Sequence, residues 1–472
     1  MTRRSQSFLA FAFLSMVVLC AGCRSTPIYT VTHSDLSPGC ITPAPDERVL
    51  VGLAVSGGGS RAALFAAGAF EALGRLDVGP QRSSLLERIS YISSVSGGSL
   101  ASAYFALKKP GRTVSVLDET GGMSDSYKRF FEQFKKSMSK DYEGPLLWRQ
   151  LAYLRWFNPS WTARSLAETL SEDYFGPSNF SDLAAREALR DSPRLLVNTT
   201  LYNDGRRLLF STLPRENSQL DLIAELTRLP GGDKLQTNIL DLLRVRWDSL
   251  ISVVPADLDL NICQIRLSGA VTASMSFPPI IGPVTFGVEG HDKYWHIGDG
   301  GLSDNTGAES LLMVFLKKLQ EDRSRKALLI LIDSSFPFEV GGEVLDHRKE
   351  GFSLFNYDYS RIPSIMEERS LSYRALFLSV GQSIGLLPGP DRIRLIRLRH
   401  TDAQWADDLS DIPESCKKEG VNWNSPRAVA KHLAGIVTRL WLSSVCDQDL
   451  ILTAAQKVVQ HNEHAIKQFL EQ

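Results

Sequence analysis

Three short glycine-rich stretches carry residue types that can do chemistry. In Ser56-Gly57-Gly58-Gly59-Ser60-Arg61-Ala62, consecutive glycines let backbone N–H groups turn toward one point at the positive end of a following helix. Such a nest suits a phosphate or the oxyanion of an acyl-transfer intermediate. In Ser94-Val95-Ser96-Gly97-Gly98-Ser99, small residues flank a serine at a strand-to-helix turn, the form of a nucleophile elbow that lifts a hydroxyl clear of the backbone. Ser94 stands where the pattern G-x-S-x-G has glycine. Gly298-Asp299-Gly300-Gly301 follows the stretch Tyr294-Trp295-His296-Ile297. An aspartate there can be desolvated, which raises its pKa and makes it a better base than a surface carboxylate.

Each stretch also has a rival reading. Gly57-x-Gly59-x-x-Ala62 fits a dinucleotide fingerprint with Asp77 about twenty residues on, but Asp77 follows a helix directly instead of ending a second strand. No Walker lysine accompanies the glycines. The frame Gly97-x-Ser99-x-Ala101 would make Ser99 the nucleophile; Ser96, at the strand end, is better placed. Asp299 can equally be a turn residue capping the next helix. His400 and His432 follow Asp299 in chain order and leave a Ser–His–Asp arrangement open. His296 lies in a strand-like run, where a core histidine is expected.

The elements around these turns read as α/β. Val49 to Val55 is a continuous apolar run, typical of a strand buried on both faces of a parallel sheet. A small-residue helix, Arg61 to Leu76, follows. Ile89 to Val95 and Ser99 to Leu107 repeat the order of strand, glycine turn and helix. Arg194 to Thr212 reads as two strands around Asn203-Asp204-Gly205, Ile265 to Met275 and Gly307 to Leu319 as helices, and Ala327 to Ile332 as a buried strand. Arg392 to Arg399 predicts an edge strand. Ser425 and Pro426 open a helix whose apolar face is Val429, Leu433, Ile436, Val437 and Leu440. A last helix runs from about Thr453 to Phe469.

Of 472 residues, 52 are Lys or Arg and 53 Asp or Glu, so the basic excess that nucleic-acid binding needs is missing. Hydrophobic residues make up 43% and charged residues 22%, which excludes wholesale disorder. The N-terminus reads as an export signal: Arg3 and Arg4, the apolar run Phe8 to Leu19, then Cys20-Ala21-Gly22-Cys23. The ending resembles a bacterial lipobox with Cys23 as the lipidated residue and Cys20 where Leu is usual. Arg24 after it favours the outer membrane, and an ordinary secretory signal is the alternative. Cys40, Cys263, Cys416 and Cys446 remain in the body without zinc-site spacing. In an oxidising compartment they pair or stay as buried thiols, with Cys416 and Cys446 the most local pair.

Taken in order, GGG-S-R, S-x-S-G-G-S and D-G-G resemble the patatin-like phospholipases and the related cytosolic phospholipase A2 catalytic domain. Ala273-Ser274-Met275-Ser276-Phe277-Pro278 and Asp304-Asn305 are similar to further family segments, so the resemblance spans roughly Val49 to Phe315. It implies a three-layer α/β/α core with a mainly parallel sheet, a helical aromatic insertion and a C-terminal extension. It also implies a Ser–Asp dyad cleaving a carboxylic ester of a phospholipid or lysophospholipid, with no cofactor and no metal. Ser96 would be the nucleophile and Asp299 the base. The amides of Gly57, Gly58 and Gly59 would hold the oxyanion, and Arg61 would fix the glycine loop or meet a phosphate. A non-catalytic lipid-binding lipoprotein keeping the fold is the reading from another class. The expected division is a signal at 1–22, a tether at 23–48, a catalytic domain at 49–335 with its insertion at about 124–190, and an extension at 336–472 packed on the core. Trp148 to Trp161 is expected either as a lipid contact, with Arg149 and Arg155 toward phosphates, or as a buried cap.

Overall fold

The computed structural model describes residues 29–31, 40–42, 47–79, 82–153, 155, 159–218, 251–278, 281–335, 361–383, 387–421 and 423–471. Cys23 and the rest of 1–28, like Trp156, lie outside them. Among the described residues nine strands form one sheet: β1 (Tyr29–Val31), β2 (Val49–Val55), β3 (Ile89–Val95), β4 (Arg194–Leu201), β5 (Arg207–Phe210), β6 (Val284–Val288), β7 (Tyr294–Asp299), β8 (Lys326–Asp333) and β9 (Ile393–Arg399). They run in the order β1-β6-β7-β4-β3-β2-β8-β9, with β5 also on β4. From β4 through β9 every neighbour on that path is parallel, while β7 is antiparallel to both β4 and β6.

Between the strands lie α1 (Gly59–Gly74), α2 (Gly97–Lys108), α3 (Asp125–Met138), α4 (Glu143–Ala152), α5 (Pro159–Leu170), α6 (Phe180–Ala188), α7 (Leu267–Ser274) and α8 (Ala308–Glu321). Then come α9 (Arg361–Ser383), α10 (Glu414–Lys418), α11 (Pro426–Gly435) and α12 (Val445–Glu471). Side chains alternate across a strand, so β2 feeds two cores. Val51, Leu53 and Val55 pack with α1, α2 and α12, and Leu50 and Ala54 pack with α8. This is the expected three-layer α/β/α arrangement, and α3 to α6 supply the helical insertion.

One expectation about the flanks needs correction. Part of the region expected as a tether belongs to the body: β1 pairs in parallel with β6, Cys40 is bonded to Cys263, and Thr42 is buried. The cause is a polar knot, in which Thr42 N donates to Thr212 O at 3.2 Å and Glu187 and Arg194 form a buried ion pair at 2.8 Å. The extension, expected to pack on the core, supplies β9 at the edge of the sheet and α12, whose Ala454, Ala455, Val458 and Val459 are buried with α1. Cys416 and Cys446 are also bonded. Ser425 caps α11 through Ala428 N, as its sequence implies, but the helix stops at Gly435. Val437 and Leu440 therefore lie beyond the face assigned to them. Among the described residues no helix is long and apolar enough to cross a membrane.

Candidate active site

Ser96 sits between the end of β3 and the start of α2 with φ 51° and ψ −124°. Non-glycine residues in such sparsely populated conformations cost about 1–3 kcal/mol and persist only where the surroundings enforce them. Here the enforcement is close backbone packing: a Cβ on Gly97 would fall 1.9 Å from the Gly59 carbonyl oxygen, and one on Gly98 2.5 Å from that of Ser56. The two glycine-rich turns thus pack backbone on backbone, which neither turn shows alone. Ser96 N donates to Ser274 Oγ at 2.9 Å, and that hydroxyl donates to Asn198 O at 2.7 Å.

Sheet register brings Asp299 to this serine. β3 and β5 both pair with Val197 and Asn198, so they lie on opposite edges of β4; β5 and β7 both pair with Thr199 and Thr200. β7 therefore shares an edge of β4 with β3 and meets it end to end. Val95 stands opposite Asn198 and Asp299 opposite Thr199. Ser96 Oγ donates to Asp299 Oδ2 at 3.0 Å, and Gly301 N donates to Oδ1 at 2.7 Å. Thr200 Oγ1 holds the Asp299 carbonyl at 2.8 Å. Asp299 is only 3% exposed, whereas Ser96 is partly open to solvent. Burial pushes the Asp299 carboxyl up to about 7, against the opposing hydrogen bonds from Gly301 and Ser96. Such a carboxylate can take a proton near neutral pH.

The glycine turn lies directly beside this pair, since a Cβ on Gly57 would sit 3.2 Å from Ser96 Cβ. Of the three amides expected to face an oxyanion, that of Gly57 is engaged, donating to Asn305 O at 2.8 Å. Its carbonyl partner closes the turn onto the loop after Asp299. Gly58 and Gly59, at φ 141° and 60°, donate their amides to no carbonyl among the described residues. Arg61 is 2% exposed, donates from Nη2 to Ser334 O at 2.7 Å and from Nε to Ser334 Oγ at 3.3 Å, and also bonds Ile436 O. These bonds tie the start of α1 to the end of β8 and to the segment after α11.

The rival readings place differently. Ser99 is fully buried, with its hydroxyl 3.1 Å from Ser94 Oγ and 3.0 Å from Ser274 Oγ. His400 is buried with Nδ1 3.4 Å from Asp333 O, and burial pushes its imidazole down to about 3. His432 Nε2 lies 2.7 Å from Asp447 Oδ1. No hydrogen bond among the described residues joins either histidine to Ser96. His296 is half-buried and meets Thr285 Oγ1 at 3.0 Å. Asp77 lies in the turn after α1 and accepts from Gly79 N at 3.4 Å, away from any strand end.

The insertion divides between the two readings offered for it. Tyr142 and Leu146 are buried, while Leu147, Trp148 and Leu151 of α4 are exposed. Arg149 and Arg155 point at carboxylates rather than outward: Arg155 Nη1 lies 2.8 Å from Glu168 Oε2, and Arg149 pairs with Glu168 and Glu172. Sequence reasoning missed Asn198, whose Nδ2 donates to Ser93 Oγ at 2.9 Å and to Ser94 O at 3.0 Å behind the elbow. A buried asparagine inside the apolar run of β4 was the available signal.

A family model described as patatin-like phospholipase matches residues 53–312. No curated protein sequence matches the chain. Among solved structures, human GIVD cytosolic phospholipase A2 is similar at 13% identity and TM-score 0.43, covering 92% of this chain and 64% of that one. The same human protein in complex with the inhibitor methyl gamma-linolenyl fluorophosphonate and terbium chloride gives 14% identity and TM-score 0.41, with 92% and 62% covered. VipD from Legionella pneumophila gives 13% and 0.25, with 87% and 71% covered. The chain thus spans less than two thirds of the length of the human structures.

Proposed function

Because the chain belongs to the patatin-like phospholipase family, we propose that it is a serine acyl hydrolase cleaving a carboxylic ester of a phospholipid or lysophospholipid. The observation that carries this reading is the 3.0 Å hydrogen bond from a partly exposed Ser96 to a buried Asp299. In this reaction Ser96 Oγ attacks the ester carbonyl carbon while Asp299 Oδ2 accepts the hydroxyl proton. The negative charge that develops on the carbonyl oxygen is met by the amides of Gly58 and Gly59, already fixed before the substrate arrives. When the tetrahedral species collapses, the bond to the alcohol oxygen breaks and that oxygen takes the proton from Asp299. A water then attacks the acyl-serine carbonyl carbon, giving a proton to Asp299, and the bond to Ser96 Oγ breaks as that oxygen takes the proton back from Asp299, releasing the fatty acid and restoring the free serine and carboxylate. The test is labelling with a fluorophosphonate probe together with ester hydrolysis, in the wild-type chain and in Ser96→Ala.

We also propose that the mature chain begins at a lipidated Cys23 and is held at a cell-envelope membrane, the outer membrane being favoured by Arg24. The disulfides Cys40–Cys263 and Cys416–Cys446 support export, since structural disulfides persist in oxidising compartments.

A further inference from the structure

Residues 436–444, between α11 and α12, form an extended strap across the glycine turn. Arg439 O accepts from Ser60 N at 2.9 Å, Ile436 O accepts from Arg61, and a Cβ on Gly59 would fall 2.3 Å from Arg439 O. Exposure along the strap alternates with the period of an extended chain. Ile436 and Leu442 are buried and Thr438 and Leu440 half-buried, whereas Val437, Arg439, Trp441, Ser443 and Val445 are exposed. The outer face therefore presents Val437 and Trp441, at 48% and 38% exposure, around an exposed guanidinium with no partner among the described residues, and Val445, the first residue of α12, is exposed beside it in the chain. A second exposed apolar group is tied to the same turn: Tyr142, just before α4, receives a hydrogen bond from Ser60 Oγ at 3.0 Å, and α4 exposes Leu147, Trp148 and Leu151.

We infer that this face, the strap's outer side with the exposed side of α4, docks into the phospholipid bilayer from which the substrate is drawn. The inference rests on the acyl-hydrolase reading and on an anchor at Cys23. Three observations choose a bilayer as the occupant. Tryptophan and valine around an arginine match the depth profile of a membrane interface, where the ring and methyls enter and the guanidinium stays at the phosphates. The face adjoins the amides proposed to receive the ester oxygen. The N-terminal chain also joins the sheet at this end: Tyr29 pairs with Phe286, which stands opposite Trp295, four residues before Asp299 on β7. Six residues from Cys23 to Tyr29 reach no further than about 22 Å, which holds the catalytic end close to the anchoring membrane.

The test uses the full chain reconstituted in phosphatidylcholine vesicles, with an environment-sensitive fluorophore on a single introduced cysteine. Val437→Cys, Trp441→Cys and Leu151→Cys report on the face. Arg323→Cys, exposed just before β8 at the opposite end of the sheet, is the reference. A blue shift and protection from aqueous iodide at the strap and α4 positions, with neither at Arg323→Cys, is the expected result. Water-exposed fluorophores at both strap positions and at Leu151→Cys, or equal shifts at Arg323→Cys, would overturn the docking face. Shifts without vesicles that depend on protein concentration would overturn it in favour of self-association. Fluorophosphonate labelling of the same samples reports separately on the acyl-hydrolase reading, and mass spectrometry of their N-termini on the anchor.

Discussion

Ser96 and Asp299 are 203 residues apart in the chain, yet they meet at 3.0 Å because β3 and β7 end against consecutive residues of one edge of β4. Two strands of opposite direction aimed at one point place a hydroxyl and a carboxylate in contact without a third side chain between them.

Ser96→Ala is expected to lose fluorophosphonate labelling and ester hydrolysis, with Ser99→Ala keeping labelling because Ser99 is buried among Ser94 and Ser274. Ser96→Gly relieves the positive φ and should raise unfolding stability by about 1 kcal/mol while abolishing turnover. A lower urea midpoint for Ser96→Gly would show that the elbow is unstrained.

Asp299 ties activity to pH. With its carboxyl pushed up to about 7, kcat/KM should rise through a single ionisation near neutrality as the base loses its proton. Asp299→Asn should lower turnover by at least about 100-fold and remove that ionisation. Stability moves the other way: between pH 3.8 and about 7 the folded chain holds a proton that the unfolded chain has released. That part of the stability therefore falls as pH rises through the window. Denaturation of the wild type and Asp299→Asn across these pH values measures the difference.

Gly59→Ala puts a methyl group 2.3 Å from Arg439 O at a φ of 60°. The turn must shift, taking two amides with it, and kcat should drop on the order of 100-fold with a smaller change in KM. Unchanged kcat in a folded variant would remove Gly58 and Gly59 from the oxyanion role.

Breaking Cys416–Cys446 should lower stability by about 2–4 kcal/mol, because the bond closes a loop with a sequence separation of 30. The double variant Cys416→Ser/Cys446→Ser, compared with the wild type in urea, measures it. An unchanged midpoint would show that the buried contacts of α12 suffice alone.

Mass spectrometry of the mature N-terminus is expected to find a diacylated Cys23, and Cys23→Ser should block processing or release the chain from membranes. An unmodified terminus at another residue overturns the anchor.

Local chemistry was enough to single out the candidate turns in the sequence. A glycine run after a buried strand and a serine between small residues are short-range signals, because the backbone conformations they require depend on residues within a few positions. The apolar runs of β2 and β8 pointed to a parallel sheet for the same reason: a strand buried on both faces has no polar alternation to show. Tertiary structure decided which of the offered groups meet. Ser96 rather than Ser99 is open to solvent, and Asp299 rather than a histidine is its partner, because both outcomes depend on register with β4, a pairing between residues distant in the chain. The Gly57 amide is occupied through Asn305 O, and Gly59 is crowded by Arg439 O, contacts made across 248 and 380 residue positions that no local pattern encodes. Local pattern also misassigned Val437 and Leu440. Their apolar spacing fits a helix face, but the glycine turn captures the chain at Ile436 and Arg439 and draws it into an extended strap.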